Sequence, residues 1–123
     1  MLLNEISGKI IDCAIKVHKT LGAGLLESTY EVCLIHELRK TGLKVESQVY
    51  LPIIYDGIEI GDGYRLDLLV EESVIVELKS VEKILPIHEA QVLTYLRLSR
   101  KRLGLIINFN VFLLKNGLKR IIN

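Results

Sequence analysis

The chain has 123 residues, half of them hydrophobic, and 16 basic against 15 acidic side chains, a formal charge of +1. That length suits one domain with a real core, expected to cover residues 1–123, and the apolar content excludes a disordered chain. Near-neutral charge gives no general argument for a polyanionic partner. The longest apolar runs, such as GLIINF from Gly104, are too short to span a bilayer. The start, MLLNEISGKI, carries Glu5 and no basic leader before an apolar block, so no signal peptide is expected and the location read from the sequence is cytoplasmic.

Residues 3–21 predict an amphipathic helix, with Ile6, Ile10, Cys13, Val17 and Leu21 spaced by three and four. Gly22 and Gly24 suit a left-handed stop. A second helix is expected over 25–40, with Leu26, Tyr30, Leu34 and Leu38 on one stripe and Gly42 ending it. Cys13 and Cys33 lie in these apolar segments without zinc-like spacing and read as free thiols.

The composition then turns to Val, Ile, Leu and Tyr, with Asp-Gly pairs at 56 and 62. Strands are expected at about 44–50, 52–55, 58–61, 64–70 and 74–80, with Pro52 marking an edge or a break. A third helix follows over 87–101, with Pro86 near its start. LGLIINF predicts a buried strand, and VFLLKNGLKRIIN predicts a closing hairpin turned at Asn116-Gly117. The expected fold is α+β, with helices flanking a mostly antiparallel sheet.

The segment YRLDLLVEESVIVELKS, residues 64–80, sets carboxylates inside two strands that otherwise look buried. A hairpin with a three-residue turn at 71–73 sets Asp67 opposite Glu77, their β-carbons about 4.5–5.5 Å apart. Lys79 shares that face. The other face carries Leu66, Leu68 and Val70 against Val74, Val76 and Leu78, an unbroken apolar surface. Facing carboxylates repel, so a positive charge must compensate. Lys79 is one candidate and a hard divalent cation is another, because Mg²⁺ uses one or two carboxylates and keeps several waters. The alternative is a surface salt-bridge patch in which Arg65 and Lys79 pair with Asp67 and Glu77.

GLLESTY, residues 24–30, places Glu27 in the first turn of the second helix with Tyr30 one turn on, and QVLTY, residues 91–95, places Gln91 and Tyr95 four apart with His88 on their stripe. Singly, each has a structural explanation: a helix-dipole glutamate, two wet-tipped core tyrosines, a surface glutamine. Together, Glu27, Asp67, Glu77-Leu78-Lys79, Gln91 and Tyr95 resemble the motif set of the PD-(D/E)XK nuclease superfamily, and GLLESTY looks like the signature of its GxxExxY family. The likeness runs from about Leu3 to Phe109. Leu66 stands where that superfamily has the Pro of its PD element.

The resemblance implies a layered α/β/α, restriction-endonuclease-like core built on an αβββαβ unit with a mixed sheet. It implies Mg²⁺ or Mn²⁺ held by Asp67 and Glu77, with the Leu78 carbonyl and Glu27 completing the set. It further implies Lys79 as the catalytic lysine and Gln91 and Tyr95 as groups that position phosphate. His18 and His88 are weaker candidates, near Glu27 and beside Gln91. The function expected is hydrolysis of nucleic-acid phosphodiester bonds, DNA before RNA, by metal-activated water. Arg97, Arg100, Lys101 and Arg102 continue the third helix and are expected to hold the nucleic-acid backbone. Two other readings stand beside this one. The first is a non-catalytic nucleic-acid-binding module. The second is an interaction protein, a homodimer joined through Val111, Phe112, Leu113 and Leu114.

Overall fold

The computed structural model describes residues 1–123, Asp62 by its backbone alone. Helix α1 spans Leu3–Leu21 and α2 spans Glu27–Lys40. Strands β1 (Val45–Tyr55), β2 (Ile58–Val70) and β3 (Val74–Lys79) follow, then α3 (Pro86–Ser99), β4 (Leu103–Asn108) and β5 (Leu118–Ile122). The sheet order is β1-β2-β3-β4-β5, antiparallel except for the parallel pair β3–β4. This is the α+β, restriction-endonuclease-like arrangement that the sequence implied.

The helices cover the sheet in layers. On one face Ile6, Ile10 and Val17 of α1 and Leu34 and Leu38 of α2 pack on Leu68, Val70, Val74, Val76 and Leu78. On the other, Val92 and Leu96 of α3 pack on Leu69, Ile75 and Ile106. α3 approaches β4 closely because residue 104 is glycine. A β-carbon there would lie 2.7 Å from the Val92 side chain.

Several expectations need correction. The four expected segments between 44 and 70 form two long strands. Pro52 sits inside β1, which is tolerable because β1 is the sheet's edge, and the ladder shifts register there, between Leu51 and Ile53. The pair at Asp56-Gly57 does turn the β1–β2 hairpin, both residues at positive φ, whereas residues 62–63 run within β2. Leu26 is not part of the helical stripe; it precedes α2 and is exposed. No hairpin turns at Asn116-Gly117. Leu114–Gly117 form a short 3-10 turn, and β5 pairs with β4 instead. Gly117 presses against the Asn108 carbonyl there, leaving no room for a side chain. The apolar run before it splits, with Leu114 buried and Phe112 94% exposed.

The long ribbon of β1 and β2 changes faces partway. Val45 and Leu68 belong to the core under α1 and α2, yet Leu51 and Leu66 belong to the one under α3. Strict alternation would keep Leu66 with Leu68, so the expected apolar face ends at Leu68. The switch coincides with Gln48, a non-glycine residue at φ 51°, opposite the position of Asp67. Beyond that point the ribbon curls over α3.

Candidate metal centre

The 71–73 turn sets the geometry of the site. Glu71 and Glu72 both take positive φ, and the Ser73 amide donates to the Val70 carbonyl at 3.0 Å. The register is the one expected: Val70 faces Val74, Leu69 faces Ile75, Leu68 faces Val76. The regular ladder stops there, one pair short of Asp67 and Glu77. Their side chains take its place. The Asp67 amide donates to Glu77 Oε1 at 3.3 Å, and the Leu78 amide donates to Asp67 Oδ2 at 2.8 Å. Each carboxylate thus satisfies backbone that the diverging strands would otherwise leave open.

Glu77 is only 5% exposed. Burial, and then the neighbouring Asp67 carboxylate, push its pKa up to about 9. Lys79 opposes this electrostatically, but no lysine or arginine forms an ion pair with Asp67 or Glu77 among the described residues. The salt-bridge patch therefore does not form; Arg65 instead lies over the Tyr50 ring, 5.8 Å from its centroid.

The end of β3 is held from both sides. Phe109 N–H donates to the Lys79 carbonyl at 3.0 Å. Ser80 Oγ donates to the Leu25 carbonyl at 2.7 Å, joining the strand to the turn ahead of α2. Asn108, 1% exposed, accepts from the Val81 amide at 3.1 Å and donates to the Val81 carbonyl at 2.9 Å. Sequence reasoning missed Ser80 and Asn108. A buried asparagine ending the apolar run LGLIIN was the available signal.

The structure distributes the remaining candidates unevenly. Tyr30 is fully buried, stacked on Phe109 at 4.4 Å. Its hydroxyl donates to the Gly22 carbonyl at 2.6 Å and accepts from the Leu25 amide at 3.2 Å. Tyr30 therefore staples the 22–25 loop. Glu27 opens α2 two residues after that loop and is exposed. Among the described residues no group of three His, Cys, Asp or Glu side chains is poised for a metal. Tyr95 lies within electrostatic reach of both carboxylates. Burial first, then Glu77, Tyr64 and Asp67, raise its pKa, so the phenol keeps its proton. Gln91 and His88 line a cavity with Tyr95. His88 Nδ1 accepts from the Leu85 amide at 2.9 Å and caps α3, while His18 Nε2 bonds the Val111 carbonyl at 2.8 Å, away from Glu27.

Arg97 is exposed in the last turn of α3, and the helix ends at Arg100, which takes a left-handed conformation. Lys101 and Arg102 lead into β4 beside Val74, whereas Lys79 pairs with Asn108 at the other end, five residues or roughly 17 Å along the strand. Lys101 acts instead on Glu72 in the 71–73 turn. Arg100, Lys101 and Arg102 are thus set apart from the carboxylates.

The donor set fits a divalent cation. A buried carboxylate, Glu77, and a half-buried one, Asp67, sit side by side without a cationic partner, and a hard ion with one or two carboxylate ligands completes its shell with water and backbone oxygen. The family model of the PD-(D/E)XK nuclease superfamily matches residues 4–121. The chain belongs to that superfamily, whose nucleases generally use divalent metals. No curated protein and no solved structure gives a significant match. No helix among the described residues is long and apolar enough to cross a membrane.

Proposed function

We propose that the chain is a nuclease that hydrolyses phosphodiester bonds of DNA with Mg²⁺ or Mn²⁺. The observation that carries this reading is Glu77, buried beside Asp67 with its pKa raised and no lysine or arginine paired to it. Asp67, Glu77 and the Leu78 carbonyl would hold the ion, with Glu27 contributing through water from the α2 start. When bound, such a cation lowers the pKa of water and neutralises phosphate charge.

The chain's own groups do the rest. Lys79, half-buried at the end of β3, orients the attacking water and offsets charge on the phosphoryl oxygens. Tyr95, protonated, donates toward the same phosphate, and Gln91 steadies the adjoining backbone from the cavity rim. Water adds to phosphorus as the ester P–O bond breaks, leaving a phosphomonoester on one fragment and a hydroxyl on the other.

The test compares wild type with Lys79→Ala on labelled DNA in Mn²⁺. The variant should melt with the wild type, because Lys79 holds no ion pair, and lose at least about 100-fold in cleavage. Wild-type binding without cleavage, unchanged by Lys79→Ala, would identify a binding module instead. Early melting of the variant would make the cluster structural.

A further inference from the structure

We propose that the apolar cavity beside the carboxylate pair receives one unpaired nucleobase, so that the substrate is single-stranded. This rests on the nuclease reading and adds the form of nucleic acid that the site accepts. The cavity holds about 690 Å³, within the range of small-molecule sites, and Ile53, Tyr64, Ile87, Gln91, Thr94 and Tyr95 line it.

Three features favour a base over another apolar occupant. The first is aromatic. Tyr64 and Tyr95 approach with ring centroids 6.0 Å apart at 47°, and Tyr64 remains 52% exposed, leaving ring surface open to stacking. The second is polar. Gln91 and Thr94 stand among the aliphatic walls with donors and acceptors suited to a base edge. The third is position. Tyr95 lines the cavity within electrostatic reach of both carboxylates, and Tyr64 precedes Asp67 by three residues on β2, roughly 10 Å of strand. That separation suits a base in the cavity with its own sugar-phosphate near the carboxylates. A base inside a duplex cannot enter without leaving its stack.

Binding is the cleaner readout, since it does not require turnover. Anisotropy of a labelled single strand of about twelve nucleotides, and of the matching duplex, is measured in Mn²⁺ with the Lys79→Ala protein. Single strand should bind more tightly than duplex. Adding Tyr64→Ala should weaken single-strand binding roughly five- to 150-fold and leave duplex binding unchanged. Tyr64→Phe should retain it within about twofold. Thr94→Trp, which fills the cavity from an exposed helix position, should reproduce the loss, with thermal melts verifying that each variant folds.

Equal binding of both forms, untouched by Tyr64→Ala, overturns the base site and leaves the nuclease reading standing. A loss shared by single strand and duplex also overturns it. Failure to bind either form overturns both proposals. A wild-type dimer that Tyr64→Ala turns into a monomer would make the cavity a contact between copies of the chain.

Discussion

The two faces of the sheet are built to different standards. Under α1 and α2, Leu68, Val70, Val74, Val76 and Leu78 meet two helices and close completely, and Tyr30 spends its hydroxyl on the backbone loop beside it. Under α3, one helix and a curling ribbon must cover the same sheet. They leave a cavity, the Glu77–Asp67 pair and a half-exposed Tyr64. The first face is closed apolar packing, and the second holds the carboxylate pair and the open cavity. A carboxyl group pushed so far from its ordinary pKa is tolerable because the opposite face does not depend on it.

That contrast breaks most visibly at Tyr30. Tyr30→Ala removes the Phe109 stack and the loop staple together and should cost about 3–5 kcal/mol in denaturant unfolding, where Tyr30→Phe costs about 1 kcal/mol. Asp67→Ala should do the reverse. Calorimetric titration with Mn²⁺ should show affinity reduced more than about 100-fold, while the melting temperature moves far less than for Tyr30→Ala, because the change removes no packed core side chain and costs chiefly the acceptor of the Leu78 amide.

The pH dependence of the metal-free protein sharpens the point. Glu77 titrates near 9 when folded and near its ordinary value when unfolded, so the native state binds the extra proton between those limits. Its contribution to stability is present at low pH and is lost as pH rises through about 9, by up to roughly a kcal/mol per pH unit. Glu77→Gln should flatten that slope in melts from pH 5 to 9. Mn²⁺ must displace the same proton, so wild-type affinity should rise over the same interval. The smallest effect is expected at the far end of α3. Replacing Arg100, Lys101 and Arg102 with Ala should change cleavage of a short oligonucleotide by less than about twofold. A lowered salt slope of binding would show instead that the substrate reaches that end.

The juxtaposition of Asp67 and Glu77 was readable because it follows from two local facts, a three-residue turn and strand alternation. The face switch was not, since nothing in the identity of Gln48 signals a positive φ, which non-glycine residues seldom adopt. Leu66 was therefore misassigned. The fate of 111–117 depended on contact with Asn108, a tertiary effect that an Asn-Gly pair does not report. The separation of the basic cluster from the carboxylates was legible and overlooked. A helix linking two parallel strands returns to the sheet's opposite end, so the residues after α3 had to lie by the start of β4. The role of Glu27 rests on the motif alone.

The change of face at Gln48 and Asp67 has a consequence for how such a protein can diversify. Outboard of it, among the described residues, β1 and β2 pair only with each other, from Val49–Leu66 out to the Tyr55–Ile58 end. The length of that arm is therefore free of the sheet's register. Residues added or deleted in facing pairs near Asp56-Gly57 would change how far the arm reaches across a bound strand while leaving Asp67 in place. Reach and chemistry are separate inheritable traits of one hairpin, and the first can drift while the second is held constant.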